Sequence, residues 1–171
     1  SLKAKKDSSL VRALELVREN EADAVLSCGN TGSLMAGGTI KLRTLDGIDR
    51  PALATIWPGA KGHFVLLDAG ANPESKPIHL LHNGVLGSNY ARVVLGIKNP
   101  KVGLLSIGTE EGKGNELTTA TYPLLQKHVD HFIGNIEARY IMEGKADVII
   151  CDGFTGNIVL QHTEGIITHL L

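Results

Sequence analysis

Two kinds of apolar pattern alternate along the chain: short runs bounded by glycine, asparagine and charged residues, and longer stretches with apolar positions every three or four residues. The first kind has strand length and the second has helical period. Leu10, Val11, Leu14 and Val17 make one helical stripe, which Asp7 or Ser8 is suited to cap. Residues 22–27 (ADAVLS) read as a short strand, and a helix follows from about Leu34 to Leu42. A turn with Gly47 and Pro51 leads to a strand near Leu53 to Trp57. Pro58-Gly59-Ala60-Lys61-Gly62 then breaks the chain before a strand from Phe64 to Leu67. Pro77 suits the first turn of a helix that runs to about Leu95. Val102, Leu104, Leu105 and Ile107 mark a buried parallel strand that stops at Gly108, and residues 116–127 form the helix after it. Phe132-Ile133 is a brief strand, with a helix from about Ile136 to Glu143. Residues 146–151 (ADVIIC) are the last strand, and a helix closes the chain after Asn157.

Alternating strands and helices predict an α/β fold, a mostly parallel sheet with helices on both faces. Right-handed crossovers then put every strand-to-helix loop at the carboxyl rim of the strands, where ligands of open α/β sheets bind. At 171 residues the pattern fits a single α/β domain over 1–171. The chain starts at Ser1 without Met, and its last apolar segment has no stop signal, so we expect the central part of a longer protein.

Composition narrows the partners. Seventeen basic against eighteen acidic residues give a net charge of −1, with no basic block to attract nucleic acid. Apolar runs stay far below the ~20 residues of a spanning helix. Two cysteines, Cys28 and Cys151, make no disulfide framework, which points to a reducing cytoplasm.

The recurring chemistry is Gly-Asn directly after an apolar run, at Gly29-Asn30, Gly114-Asn115, Gly134-Asn135 and Gly156-Asn157, with Ala71-Asn72 in the equivalent place of a fifth loop. Two readings stand. Asn is a good helix cap and Gly a good turn residue. Alternatively, five carboxamide loops meeting at one rim would form a polar, largely uncharged cradle for phosphate or a polarised carbonyl. Lys113 adds a mobile cation to the loop of Gly108, Gly112 and Gly114. GxGxxG after a strand, GxxxxGK[ST] and GxSxG are all missing, so phosphate-loop and hydrolase-elbow templates fail. Ser33, in NTGS at a helix start, suits capping better than nucleophilic attack. Each cysteine ends a strand beside a loop, where a thiol nucleophile and a small buried residue are the competing meanings. The seven His form no ligand set, so no metal is expected. Lys76, at a helix entrance, fits anion contact and plain solvation equally. Asp68 and Asp152 end strands, where each could orient a loop by accepting N–H bonds.

With these residues laid out, the chain resembles the PlsX family, the phosphate acyltransferases of bacterial phospholipid synthesis. The matching stretches are residues 22–32 (ADAVLSCGNTG), 47–52 (GIDRPA), 66–77 (LLDAGANPESKP), 101–117 (KVGLLSIGTEEGKGNEL), 132–139 (FIGNIEAR) and 146–160 (ADVIICDGFTGNIVL). Cys28 stands where the family usually has a small residue, which disfavours a family-wide thiol nucleophile. The resemblance implies a three-layer αβα, Rossmann-like fold akin to isocitrate and isopropylmalate dehydrogenases. It implies a cytoplasmic homodimer that converts acyl-(acyl carrier protein) and inorganic phosphate into acyl phosphate, with no cofactor. Peripheral contact with the inner membrane face, through a helical hairpin after Leu171, is implied by the family alone. Lys113 and Asn157 are the expected catalytic positions. Asn30, Thr31, Gly32, Ser33, Asn72, Lys76, Gly114, Asn115, Asn135 and Asp152 are the expected substrate-binding set. The alternatives are a phosphotransacetylase-type enzyme using acyl-coenzyme A and a non-catalytic anion-binding module.

Overall fold

The computed structural model describes residues 8–170. It divides into two compact units, one ending at Pro51 and the other running from Ala52.

In the first unit, α1 (Ser9–Arg18) starts at Ser8, whose hydroxyl accepts from the Val11 N–H at 3.4 Å. Asp7, the other expected cap, lies outside the described residues. Helix α2 (Thr31–Lys41) begins earlier than its apolar pattern suggested, because Asn30 caps it. Lys41 Nζ reaches Glu15 Oε1 at 2.8 Å, and that hydrogen bond holds the Glu15 carboxyl below its usual range. Residues 22–27 do not form the expected strand, and Leu26 is 96% exposed. Their alternation is present, but among the described residues no neighbouring strand satisfies their backbone groups.

In the second unit, β1 (Ala54–Gly59) and β2 (Gly62–Leu67) form an antiparallel hairpin. Pro58 and Gly59, expected to break the chain, stay in β1 opposite His63 and Gly62. Proline is tolerated there because β1 is an edge strand. Then come α3 (Pro77–Val94), β3 (Val102–Ser106), α4 (Glu116–His128), β4 (Phe132–Glu137), a 3₁₀ helix (Ala138–Glu143), β5 (Val148–Ile150) and α5 (Gly153–Leu170). The strand order is β1-β2-β5-β3-β4, with β2, β5, β3 and β4 parallel. The α-helix expected over 136–143 is instead the end of β4 and the 3₁₀ helix. Ile136 and Glu137 pair with Leu105 and Ser106, and this ladder claims their backbone.

Period-two alternation sorts the core onto two faces of the sheet. Val65, Leu67, Val102, Leu104, Val148 and Ile150 pack against Leu80, Ala91, Leu125 and Val129 from the α3–α4 side. Phe64, Leu66, Leu105, Ile136, Ile149 and Cys151 face Ile141 of the 3₁₀ helix and Val159 and Leu160 of α5. The result is three layers, αβα, around a mostly parallel sheet. Close approach of α3 depends on Gly87, where a Cβ would stand 2.6 Å from Val148 Cγ1. Among the described residues no helix is long and apolar enough to cross a membrane.

Candidate active site

Because β2, β5 and β3 are parallel, their carboxyl ends share one rim. Leu67, Ile150 and Leu104 lie in a single row of the sheet register. Central β5 therefore hands the chain to α5 between the turn after β2 and the loop after β3.

The turn after β2 is built on Asp68, which is fully buried. Its Oδ1 accepts from the N–H groups of Leu53 (3.1 Å), Gly70 (3.0 Å) and Ala71 (2.8 Å). Its Oδ2 accepts from Asn72 N and Asn72 Nδ2, both at 2.9 Å. A buried carboxylate needs such donors, and here they wrap the chain into a closed turn. Asp68 thus does the orienting work expected of it. Asn72 is drawn into the same turn.

The start of α5 is fastened to that turn. Asn72 O accepts from Gly153 N at 2.9 Å, and Asp152 caps the helix by accepting from Thr155 N (2.9 Å) and Thr155 Oγ1 (2.8 Å). A Cβ at Gly156 would run into the Asp68 carbonyl oxygen, so only glycine allows the helix this close. Gly156 and Asn157 are consequently helical residues in the opening turns of α5, not loop residues as the sequence suggested. Asn157 Oδ1 accepts from Gln161 Nε2 at 2.9 Å. Its Nδ2 lies over Gly70 with no acceptor among the described residues, which leaves a positioned donor at the rim.

The loop after β3 carries Lys113. Ser106 Oγ donates to Lys113 O at 2.9 Å, and Asn135 Nδ2 donates to Glu110 O at 2.7 Å and Lys113 O at 3.4 Å. Gly114 follows at φ +129°, and a Cβ there would strike Thr118 Oγ1. Asn115 caps α4 by accepting from Thr118 N at 2.9 Å, while Thr118 Oγ1 accepts from Asn115 N at 3.0 Å. The backbone of Lys113 is therefore fixed, but its ammonium is exposed and has no carboxylate partner among the described residues. The first turn of α4 adds uncapped N–H groups and a partial positive charge beside it.

The expected ring of five carboxamide loops does not form as such. Asn30 and Asn115 turn their Oδ1 back onto helix N–H groups, Ser33 N donating to Asn30 at 2.9 Å. Gly134-Asn135 sits inside β4, because the ladder with β3 continues through it, and Asn135 is a buried brace. Asn30, Thr31, Gly32 and Ser33 belong to the first unit, where they form the start of α2. Lys76 is exposed and begins α3, its N–H donating to Nδ1 of the buried His79 at 3.1 Å. The second unit does bring Asn72 and Asp152 to one turn, with Asn157 beside it over Gly70, and Lys113, Gly114, Asn115 and Asn135 to another. Sequence reading passed over Gly70, Ser106, Thr118 and Gln161. Ser106 as the polar end of an apolar run, and Gln161 four residues after Asn157, were the available signals.

Cys151 is buried beneath this rim, with Sγ 3.6 Å from Asp68 O. Burial, and then the carboxylates of Asp152 and Asp68, push its thiol far above the ordinary range. Cys151 is a packing residue and not a nucleophile.

Fold and site together define a three-layer α/β protein whose polar turns gather at the carboxyl rim of its parallel strands. The chain belongs to the fatty acid synthesis protein family, whose model it matches over residues 1–171. It is 58% identical over 167 residues to a phosphate acyltransferase of Desulfitobacterium hafniense (strain DSM 10664 / DCB-2), covering 97% of this chain and 50% of that protein. To the phosphate acyltransferase of Halalkalibacterium halodurans it is 54% identical over 167 residues, covering 96% and 49%. The chain spans about half the length of the curated relatives it matches. Among solved structures it is similar to the EutD phosphotransacetylase from Staphylococcus aureus, with TM-score 0.70, 18% identity and coverage of 91% of this chain and 54% of that one. A branched-chain phosphotransacylase from Enterococcus faecalis V583 gives TM-score 0.62 at 18% identity, covering 92% and 65%. These two likenesses bear on the fold alone.

Proposed function

We propose that the second unit carries the site of a phosphate acyltransferase that makes acyl phosphate from acyl-(acyl carrier protein) and inorganic phosphate. Hydrogen phosphate attacks the thioester carbonyl, a carbon–oxygen bond forms and the carbon–sulfur bond breaks. The proton that phosphate brings leaves on the carrier thiol. No protein nucleophile is required, which agrees with the inert Cys151. Lys113 offsets the phosphate charge at the start of α4, and Asn157 Nδ2 donates to the carbonyl oxygen as it becomes an oxyanion. The observation that carries this reading is the Asn157 amide, oriented by Gln161 and Gly70 with its donor left over at the rim. Names shared by relatives above 50% identity support the activity. A homodimer at the cytoplasmic membrane face belongs to the same reading.

The test is phosphate-dependent thiol release, with this chain inside a full-length family protein and with acyl carrier protein and coenzyme A thioesters compared. Carrier-protein thioesters should be preferred; equal use of coenzyme A would favour the phosphotransacetylase type. Lys113→Ala and Asn157→Ala should each lower turnover by about 10²–10³-fold, as the loss of one oxyanion donor does. Near-normal turnover in both variants overturns the assigned roles.

A further inference from the structure

We propose that the groove between β1, the 3₁₀ helix and α5 holds the hydrocarbon chain of a medium- or long-chain acyl substrate, with its reactive carbonyl at Asn157. This rests on the acyl-transfer reading of the rim. The groove measures about 370 Å³ and is lined chiefly by Ile56, Trp57, Pro58, Met142, Leu160 and Ile167. That size falls within the roughly 300–1,000 Å³ of small-molecule sites.

Three features select an alkyl chain. First, the hydroxyls in the lining are satisfied within the protein. Thr163 Oγ1 donates to Val159 O at 2.9 Å, and Thr55 Oγ1 donates to Leu66 O at 3.4 Å while accepting from Trp57 Nε1 at 2.8 Å. Only Glu164 adds a charge to the lining, and it is exposed. A polar ligand would find little to bond. Second, α5 runs from the rim to the groove, whose lining includes Leu160, Glu164 and Ile167 of that helix. Asn157, Leu160, Glu164 and Ile167 follow at helical spacing on one face of α5, so the groove opens one turn beyond the proposed oxyanion donor. From Asn157 to Ile167 the helix advances about 15 Å, which suits an extended chain better than a short acyl group. Third, the walls are held in place independently of any ligand, since Ala60 N donates to Met142 O at 2.8 Å and Trp57 packs on Phe64 at 5.9 Å between ring centroids.

Trp57 is the only tryptophan, so its fluorescence reports occupancy directly. The chain is titrated with tetradecanoate and with butanoate. Tetradecanoate should change Trp57 emission saturably, and butanoate should bind about a hundredfold more weakly or less, because each buried methylene is worth up to about fourfold. Thr163→Phe fills the groove and should weaken tetradecanoate at least tenfold. Ile167→Phe, at an exposed position where folding is not at stake, should also weaken it. Absent emission change, equal response to both acids, or unaltered affinity in both Phe variants overturns the proposal. So does emission that follows protein concentration alone, which would mark the groove as an interface between copies. Binding is read without turnover; retained tetradecanoate binding with no phosphate-dependent thiol release would therefore refute the transfer reading and leave the groove assignment standing.

Discussion

The amide nitrogen of Asn157 lies so close over Gly70 that a Cβ on Gly70 would stand 2.9 Å from it. Gly70 also has φ +136°, a conformation that side-chain-bearing residues rarely adopt. Gly70→Ala should therefore cost about 1–3 kcal/mol through backbone strain and also displace the Asn157 amide. Turnover should fall further than the melting temperature accounts for. A variant as active as the parent at temperatures well below its melting point would show that Asn157 is not positioned from this side.

Asp68 gathers five donors onto one carboxylate, four from its own turn and the fifth the Leu53 N–H. Asp68→Ala would strand those groups in a buried site, and a loss of about 3 kcal/mol or more is expected. Urea denaturation measures it. Asp68→Asn should recover only part of the loss, because an amide replaces one acceptor oxygen with a donor that faces other donors. Full stability in Asp68→Asn would contradict the hydrogen-bond pattern described.

Much of the fold was legible from the chain because its strands are buried on both faces. Such strands read as near-continuous apolar runs, and β2, β3 and β5 were found for that reason. What misled was the treatment of Gly and Asn as loop markers. Gly134-Asn135 lies within a ladder whose partner, β3, is remote in sequence, so no local signal separates it from a turn. Gly156-Asn157 is helical because Asp152 caps earlier, and the close packing of Gly156 on Asp68 is a tertiary fact. Residues 22–27 show the converse: alternation marks a strand only when another strand pairs with it. Lys113 and Asn157 could be singled out, but the braces that hold them, Asn135, Ser106 and Gln161, come from hydrogen bonds that no spacing rule announces.

Asn135 and Ser106 both grip the carbonyl of Lys113. Asn135→Leu keeps the buried volume and removes two bonds, so about 1–3 kcal/mol should be lost. Freed of this brace, residues 108–114 should exchange amide protons faster, while α3 keeps its protection. Hydrogen exchange followed by mass spectrometry reads both; unchanged exchange in the loop would rule out the bracing role.

The buried thiol makes a pH prediction. Cys151 is raised far above its ordinary value of 9.0 in the folded chain. Above about pH 9 the unfolded chain releases a proton that the folded chain keeps, so stability is fully present below that pH and declines as pH rises. One proton corresponds to about 1.4 kcal/mol per pH unit. Cys151→Ser removes the titration with little change in shape. The stability difference between parent and variant should hence shrink between about pH 9 and 11, measured by urea midpoints; a constant difference would show that the thiol titrates normally.

The most direct test of the central claim is a phosphate titration of the ¹⁵N-labelled chain followed by amide chemical shifts. The account predicts saturable shifts confined, within the second unit, to residues 68–72, 113–118 and 152–157, and their loss in Lys113→Ala. Shifts elsewhere in that unit, or a response that survives Lys113→Ala undiminished, would contradict it.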